Sequence, residues 1–513
     1  MHTKRITSVL IWSLWSLFLA QPMADIRAQM ENPPVQIATS NHPLTTAYNN
    51  GRRIVRDSFN GRYVVYQDLK GYLPIVCFCK SQDGTNWSDP DTLADGAFPS
   101  IAIDQLNRIY LVWQTVNRAA ILFTYSEDFG TSWKLPPKIV SGADSGMTQY
   151  PVIEAGKRRV HIAWQQMVDW QPYQWIDEIF YNSLSLDSLE SNFATPINIS
   201  RSEADSKFPS IAHNLGFEEG NLYMVWYDSV GTDSLPMTLI RYRAVNEKLS
   251  IWEPPLSLPS YHLSENCGND GVHPAISVGF DAFVYVVWGN LLQDRFHLLI
   301  FDPKNSGLFI PSEIQTNAEP FICIDDPVVP SVPIIWMNNN EIYYLLMVGH
   351  NPPVNIVSPP PLSPEDENKS LYPSVGYKQA QLTYFDVVWT DGNAPPYKLM
   401  YQRLQKTFSG VGQKIINTRI QQQFKLKQNY PNPFNASTMI NYEIFQPSFI
   451  TLEIYNPLGQ KVRTLVNEWK QEGGYQARWE GTNDTGEMVV SGVYLYRLRA
   501  GDWTEAWKVV LLR

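Results

Sequence analysis

Phe98-Pro99-Ser100-Ile101-Ala102-Ile103, a short turn, then Ile109-Tyr110-Leu111-Val112-Trp113 is the stretch that decides the fold. An aromatic residue and a proline open a short apolar strand, and a second strand follows and ends on tryptophan. The unit returns as Tyr150-Pro151-Val152-Ile153 with Val160-His161-Ile162-Ala163-Trp164, and as Phe208-Pro209-Ser210-Ile211-Ala212 with Leu222-Tyr223-Met224-Val225-Trp226. It returns again as His273-Pro274-Ala275-Ile276 with Val284-Tyr285-Val286-Val287-Trp288, and as Tyr372-Pro373-Ser374-Val375 with Phe385-Asp386-Val387-Val388-Trp389. Arg53-Ile54-Val55 with Tyr63-Val64-Val65-Tyr66, and Pro330-Ser331-Val332 with Ile342-Tyr343-Tyr344-Leu345, read as degenerate copies. Most units add a third strand after the tryptophan, such as Ala120 to Tyr125 or Leu239 to Tyr242. Self-similarity at about fifty residues, with three or four strands per unit, marks an all-β chain built as a β-propeller. One such sheet cannot cover its own apolar faces, so the units stack around an axis. Seven units between about Arg52 and Asn417 predict seven blades, with six the alternative because one copy is poor.

Two units carry a further hairpin, Ser126-Glu127-Asp128-Phe129-Gly130-Thr131-Ser132-Trp133 and the shorter Ser81-Gln82-Asp83-Gly84-Thr85-Asn86-Trp87. Aspartate can accept from turn amides, glycine permits positive φ, and tryptophan packs under the blade. The pattern resembles the Asp-box of sialidase-like propellers, and residues 30–417 are expected to form one. The resemblance gives Ser81, Asp83, Gly84, Trp87, Ser126, Asp128, Gly130 and Trp133 a structural role away from any active site.

A sialidase also needs arginines for the substrate carboxylate, a tyrosine nucleophile assisted by glutamate, and an acid aspartate. Arg53-Ile54-Val55 is similar to the Arg-Ile-Pro motif of that family, with Val55 in place of proline. No motif sets Arg241, Arg243, Arg295 or Arg403 on an axis. No Ser/His/Asp context, H-E-x-x-H or phosphate-binding glycine loop is present, and no catalytic residue is assigned. His273 takes the slot of Phe or Tyr in sister units, which favours packing.

Ligands of a propeller are expected where the loops between second and third strands meet the loops entering the next blade. Several entering loops are acidic or amide-rich: Ser202 to Asp205, Glu265 to Asp270, and Glu365 to Asn368. Asp228, Asn290 and Asp391 follow tryptophans. Asp169-Trp170-Gln171-Pro172-Tyr173-Gln174-Trp175-Ile176-Asp177 reads as an aromatic loop flanked by carboxylates. Flat rings beside hydrogen-bonding groups suit a sugar, whose ring faces are apolar and whose rim is hydroxyl. The plainer alternative is that these aromatics cover a blade end and the acidic loops are merely solvated. The candidate ligand residues are Trp170, Tyr173, Trp175, Asp169, Asp177, Asp228 and Asp391. No cofactor is implied, and neither is a metal site. The calcium-loop spacing D-x-[DN]-x-[DN]-G is absent, and Cys77-x-Cys79 lacks a second ligand pair.

The two ends of the chain carry an address. Tyr430-Pro431-Asn432-Pro433-Phe434-Asn435 is followed by Ile454 to Gln460, Gly481 to Gly486 and Ser491 to Leu498, and the chain ends on Lys508 to Arg513. Alternation in Thr451 to Tyr455 and Val493 to Leu498 fits half-buried strands of a small β-sandwich. Residues 424–513 resemble the type A C-terminal sorting domain of the bacterial type IX secretion system, and the related Ig-like domain of flagellar hook-capping proteins. That resemblance implies the secretion machinery as a partner, Tyr430 to Asn435 as the sorting motif, and delivery through the periplasm to the cell surface or medium.

At the other end, His2, Lys4 and Arg5 precede the apolar run Ile6 to Ala20, the pattern of a signal peptide over 1–28 with cleavage near Ala24 or Ala28. No later stretch is long and apolar enough to span a membrane. Residues 405–423 are expected to be a linker, and the proline-rich Asn351 to Pro364 an inter-blade loop. A net charge of −10 argues against nucleic acid or anionic membrane as partner. Of the four cysteines, Cys77 and Cys79 point to one face and are badly placed to bond each other, which leaves Cys267 and Cys323 as the candidate pair. The expectation is a monomeric, non-catalytic propeller that binds glycan or protein through the face bearing Trp170, Tyr173 and Trp175. A sialidase-type hydrolase is the alternative, and a purely architectural propeller a third reading.

Overall fold

The computed structural model describes residues 26–30, 32–48, 51–142, 146–171, 174–213, 221–229, 238–246, 251–252, 256–257, 271–279, 283–290, 295–301, 303, 309–315, 318–324, 331–348, 361–363, 367–376, 384–408, 424–445, 448–456, 461–500 and 503–512. These residues form strands and turns, with no helix among them and so no membrane-crossing helix. Residues 1–25 of the expected 1–28 signal segment, Tyr173, the Glu265 to Asp270 loop and Cys267 lie outside them, whereas Ile26 to Ala28 lie in a strand paired with Lys406 to Phe408.

Seven antiparallel sheets follow one another along the chain up to Phe408. The first has strands Ile54–Arg56, Arg62–Lys70, Leu73–Ser81 and Asp91–Asp95. The second has Ala97–Ile103, Ile109–Gln114, Ile121–Ser126 and Lys138–Ile139, and the third Thr148–Ala155, Arg159–Gln171, Gln174–Ser185 and Ile197–Asn198. The fourth is Asp205–His213, Asn221–Ser229 and Thr238–Asn246, edged by Ile251–Trp252 and Leu256–Ser257. The fifth is Gly271–Val278, Val284–Asn290, Arg295–Phe301 and Phe309–Gln315, and the sixth Ala318–Ile324, Ser331–Asn338 and Glu341–Val348. The seventh joins Ser370–Gly376, Tyr384–Asp391 and Tyr397–Phe408 to two strands from the start of the described chain, Ile26–Met30 and Val35–Ser40.

Apolar residues cluster between successive sheets. Val65 and Phe78 of the first meet Ile101, Leu111 and Trp113 of the second. Ala163 and Ile179 of the third meet Ile211, Met224 and Trp226 of the fourth. Val388, Leu399 and Tyr401 of the seventh meet Ile54, Val64, Cys77 and Cys79 of the first. The repeated tryptophans 113, 164, 226 and 389 lie in these cores, essentially without solvent contact. Each ring removes about 200 Å² from water, roughly 5 kcal/mol of gross stabilisation at about 25 cal/mol per Å². Cys77 and Cys79 are free and buried, and burial pushes the Cys77 thiol up to about 11.

Two expectations need correction. The sixth unit is offset by one strand: Ser331 and Val332 belong to its second strand, which runs through Trp336, and Ile342 to Leu345 to its third. Its first strand carries Glu319-Pro320 in place of an aromatic-proline pair, so the repeat signal falls on the wrong proline. The linker also begins later than 405, because Gln405 to Phe408 complete a strand and pair with Ile26 to Gln29.

At the seam between the seventh and first sheets, Arg56 and Arg62 face Asp386, and Tyr401 donates to the same carboxylate at 2.6 Å. Burial works against the ionised carboxylate, but Arg56 and Arg62 outweigh it and hold Asp386 below its usual range.

Residues 424–512 pack as a three-stranded sheet against a four-stranded one around Ile440, Leu452, Trp479, Tyr496 and Val509. Phe434 is buried on Trp479, with centroids 5.3 Å apart, whereas Tyr430 is 79% exposed. Asn432 accepts from Val510 N at 2.8 Å and donates to Lys508 O at 3.1 Å, so this motif covers the outer edge of the last strand.

Candidate functional site

Each aromatic-proline pair opens its strand with a β-bulge. The ladder skips between Ala97 and Ser100, Gln149 and Val152, Lys207 and Ser210, Val272 and Ala275, and Leu371 and Ser374. Proline suits the skipped position, where no ladder bond is asked of its nitrogen. The preceding residue is left-handed each time, with φ of 51° at Phe98, 52° at Tyr150, 51° at Phe208, 51° at His273 and 55° at Tyr372. A bulky residue there costs about 1–3 kcal/mol, so five repetitions need compensation. Part of it comes from the preceding sheet. Gln67 accepts from Phe98 N at 3.0 Å, Gln114 from Tyr150 N at 3.1 Å, and Gln165 from Phe208 N at 3.4 Å.

Turned this way, the rings meet around Tyr48. Its centroid lies 5.4 Å from Phe98, 5.0 Å from Tyr150, 5.2 Å from Phe208 and 5.8 Å from His273. The segment that carries Tyr48 is pinned from several sheets. Thr46 Oγ1 donates to Tyr372 O at 2.8 Å, Gln67 N donates to Thr45 O at 3.1 Å, and the Arg53 guanidinium donates to Ala47 O and Pro99 O. Burial pulls Arg53 down to about 9 and the His273 imidazole down to about 4, so His273 is a neutral packing ring at physiological pH. Tyr48, Phe98, Tyr150, Phe208 and His273 are all half-buried, which leaves the cluster a solvent-facing side: an aromatic floor.

Polar groups stand beside it. Lys207 Nζ lies 3.3 Å from Asp205 Oδ2 and 3.9 Å from Asp177 Oδ2. Burial pushes the Asp177 carboxyl up against the pull of Gln165 and Lys207. Tyr227 stacks on Phe208 at 6.0 Å, and burial, reinforced by Asp205 and Asp177, pushes its phenol up to about 12.

The Asp169 to Asp177 stretch is a hairpin, not a loop, because its strands stay paired out to Gln171 opposite Gln174. Trp175 is 61% exposed. Strand alternation puts Trp175, Asp177 and Ile179 on one face, and Ile179 packs toward the fourth sheet, which carries Asp205 and Lys207. Asp169 pairs with Trp175 in the ladder; its side chain, that of Trp170 and the whole of Tyr173 lie outside the described residues.

Asp228 and Asp391 hold another position, two residues after the tryptophan of their own sheets. Asp228 accepts from Ser206 Oγ at 2.7 Å, Trp226 Nε1 at 2.8 Å and Arg241 Nε at 2.6 Å. Asp391 accepts from Ser370 Oγ at 3.0 Å and faces Lys398 at 3.5 Å. Both carboxylates are buried and bound within their own sheets. Arg243 donates to Ile199 O at 2.6 Å and Arg403 lies 3.7 Å over the Tyr384 ring, so both are engaged in the sheets. Among the described residues no group of His, Cys, Asp and Glu is placed to hold a metal ion.

The Ser81 to Trp87 and Ser126 to Trp133 turns join third to fourth strands. Asp128 accepts from Ser132 N at 2.8 Å and Ser132 Oγ at 2.6 Å; with these bonds, burial opposing, its carboxyl is held down to about 2. Trp133 meets Phe78 edge-on at 5.2 Å and Trp87 meets Tyr401 at 5.0 Å, so each turn buttresses the sheet before it.

Of the residues singled out in the sequence, Asp177 and Asp205 stand together with Trp175 on the Asp177 face of the hairpin, whereas Tyr48 and the three glutamines are not among them. Tyr48 stands outside every repeat. The glutamines were legible as the residue after the last aromatic of three units, Tyr66-Gln67, Trp113-Gln114 and Trp164-Gln165.

The FlgD Ig-like domain family model matches residues 441–502. No curated protein sequence matches the chain. Among solved structures, the polysaccharide lyase Uly1 is similar at 9% identity and a TM-score of 0.48, over 74% of this chain and 99% of that one. An α-L-arabinanase of Penicillium chrysogenum, complexed with arabinobiose, is similar at 12% identity and a TM-score of 0.42, over 63% of this chain and 98% of that one. PorZ, a surface component of the type IX secretion system of Porphyromonas gingivalis, is similar at 12% identity and a TM-score of 0.35, over 90% of this chain and 60% of that one. Likenesses this distant carry no argument about activity.

Proposed function

We propose that this chain is an exported, seven-bladed, sialidase-like propeller that binds glycan or protein without catalysis, carried to the cell surface or medium by a C-terminal type IX sorting domain. Seven sheets with apolar cores between successive members, and a core shared by the last and first, support a closed ring of seven blades. The observation that carries the binding reading is the half-exposed aromatic floor around Tyr48, held in strained backbone, with Trp175 on the neighbouring hairpin. One observation favours the hydrolase reading: Asp177, with its raised carboxyl, stands beside Asp205, a general-acid candidate next to a second carboxyl group.

The test is the full secreted chain on a broad glycan array, with bound signal and released sugar recorded together. Binding without turnover that disappears in Trp175→Ala supports the binding module, and turnover moves the reading to hydrolase. Silence in both channels removes glycans and leaves a protein-binding or architectural propeller. The sorting reading predicts that deleting 424–513 leaves the protein in the periplasm, and unchanged secretion would overturn it.

A further inference from the structure

We infer that the aromatic floor and its Asp177, Lys207 and Asp205 margin form a subsite for an uncharged terminal sugar of a glycan, one that presents two neighbouring hydroxyls. This rests on the binding reading above and narrows it to a ligand class and a place.

The floor is closed at its centre. Tyr48 fills the space between Phe98, Tyr150, Phe208 and His273 at ring distances of 5.0–5.8 Å, so the floor suits a chain end better than a polymer threaded past it. A sugar ring offers an apolar C–H face to such a surface, and the floor's half-exposed edges offer matching apolar area. At the margin, an ammonium 3.3 Å from one carboxylate and 3.9 Å from another alternates donor with acceptors. A sugar hydroxyl both donates and accepts, so one hydroxyl can donate to Asp205 while accepting from Lys207, and its neighbour can do the same with Asp177. Charge decides the class. The margin carries two carboxyl groups against one ammonium, and Arg241, Arg243 and Arg403 are engaged with Asp228, a backbone carbonyl and Tyr384. At this margin a sugar carboxylate would meet two carboxyl groups against one ammonium, whereas a neutral diol meets complementary groups. Trp175, on the Asp177 face of the hairpin, is placed to cover the next sugar out.

The experiment uses the full chain and glycans that share a core but end in a neutral hexose, a neutral pentose, sialic acid or a uronic acid, with affinity measured by calorimetry. Binding is expected for the neutral ends alone. Lys207→Met and Asp205→Asn should each weaken it at least tenfold at an unchanged melting temperature, with Lys207→Arg retaining most of it. Preference for acidic ends would overturn the ligand class. Full affinity in Lys207→Met and Asp205→Asn, with loss in Trp175→Ala, would overturn the subsite while leaving the glycan-binding reading standing. No binding of any glycan by the natural chain would overturn both.

Discussion

Two charged clusters made from similar residues sit in opposite environments in this protein. At the seam between the seventh and first sheets, Asp386 is enclosed by Arg56, Arg62 and Tyr401, and the side chains of both arginines and the aspartate have essentially no solvent contact. Beside the floor, Asp177, Lys207 and Asp205 keep part of their surface in water, with 29% of the lysine side chain exposed. Buried charge is costly to leave unpaired, so the seam cluster fixes how the sheets join. Half-exposed charge is cheap to hold and cheap to rearrange, so the floor cluster remains available to a ligand. Burial, more than residue type, separates the architectural cluster from the one proposed for recognition.

The comparison breaks first at the seam. Asp386→Asn leaves two buried guanidinium groups without their carboxylate and should cost about 3–5 kcal/mol, read as a lower urea midpoint at pH 7. Because the folded carboxyl is held below its ordinary range, its stabilisation is present above that range and lost as pH falls through the folded value. The gap between natural chain and variant should therefore shrink toward pH 3, and a constant gap would mean that the pair does not act through charge. Next comes Tyr48→Ala, which removes the ring shared by four others and should cost about 2–3 kcal/mol in the same measurement, along with ligand affinity. Gln114→Ala strands the Tyr150 amide at its bulge and should cost about 1–2 kcal/mol, whereas an unchanged midpoint would show that the bulge holds itself. Lys207→Met should move stability by no more than about 0.5 kcal/mol and sharpen the contrast through affinity alone.

The local grammar of the fold was legible. Aromatic-proline pairs, strand alternation and terminal tryptophans mark five of the seven sheets in order, and a degenerate copy marks the first, because the strands that carry these signals are contiguous within each sheet. The sixth was misaligned because Glu319-Pro320 lacks the aromatic and Pro330 offered a false start. The site was legible only in pieces. Trp175 and Asp177 were singled out as a loop, but their common face depends on a hairpin that stays paired to Gln171. Asp228 and Asp391 looked like their equals in sequence, yet Ser206, Trp226 and Arg241 bind one and Ser370 the other within the sheets.

By itself the sequence determined that the chain is an all-β array with a separate β-sandwich behind it, because strand period, turn residues and repeat length act over short separations. Tertiary structure alone decided that Tyr48 closes the floor, that Ile26–Met30 and Val35–Ser40 complete the last sheet, and which carboxyl groups face solvent. Those outcomes join residues hundreds of positions apart, and no local propensity encodes which of several similar side chains the ring will bring together.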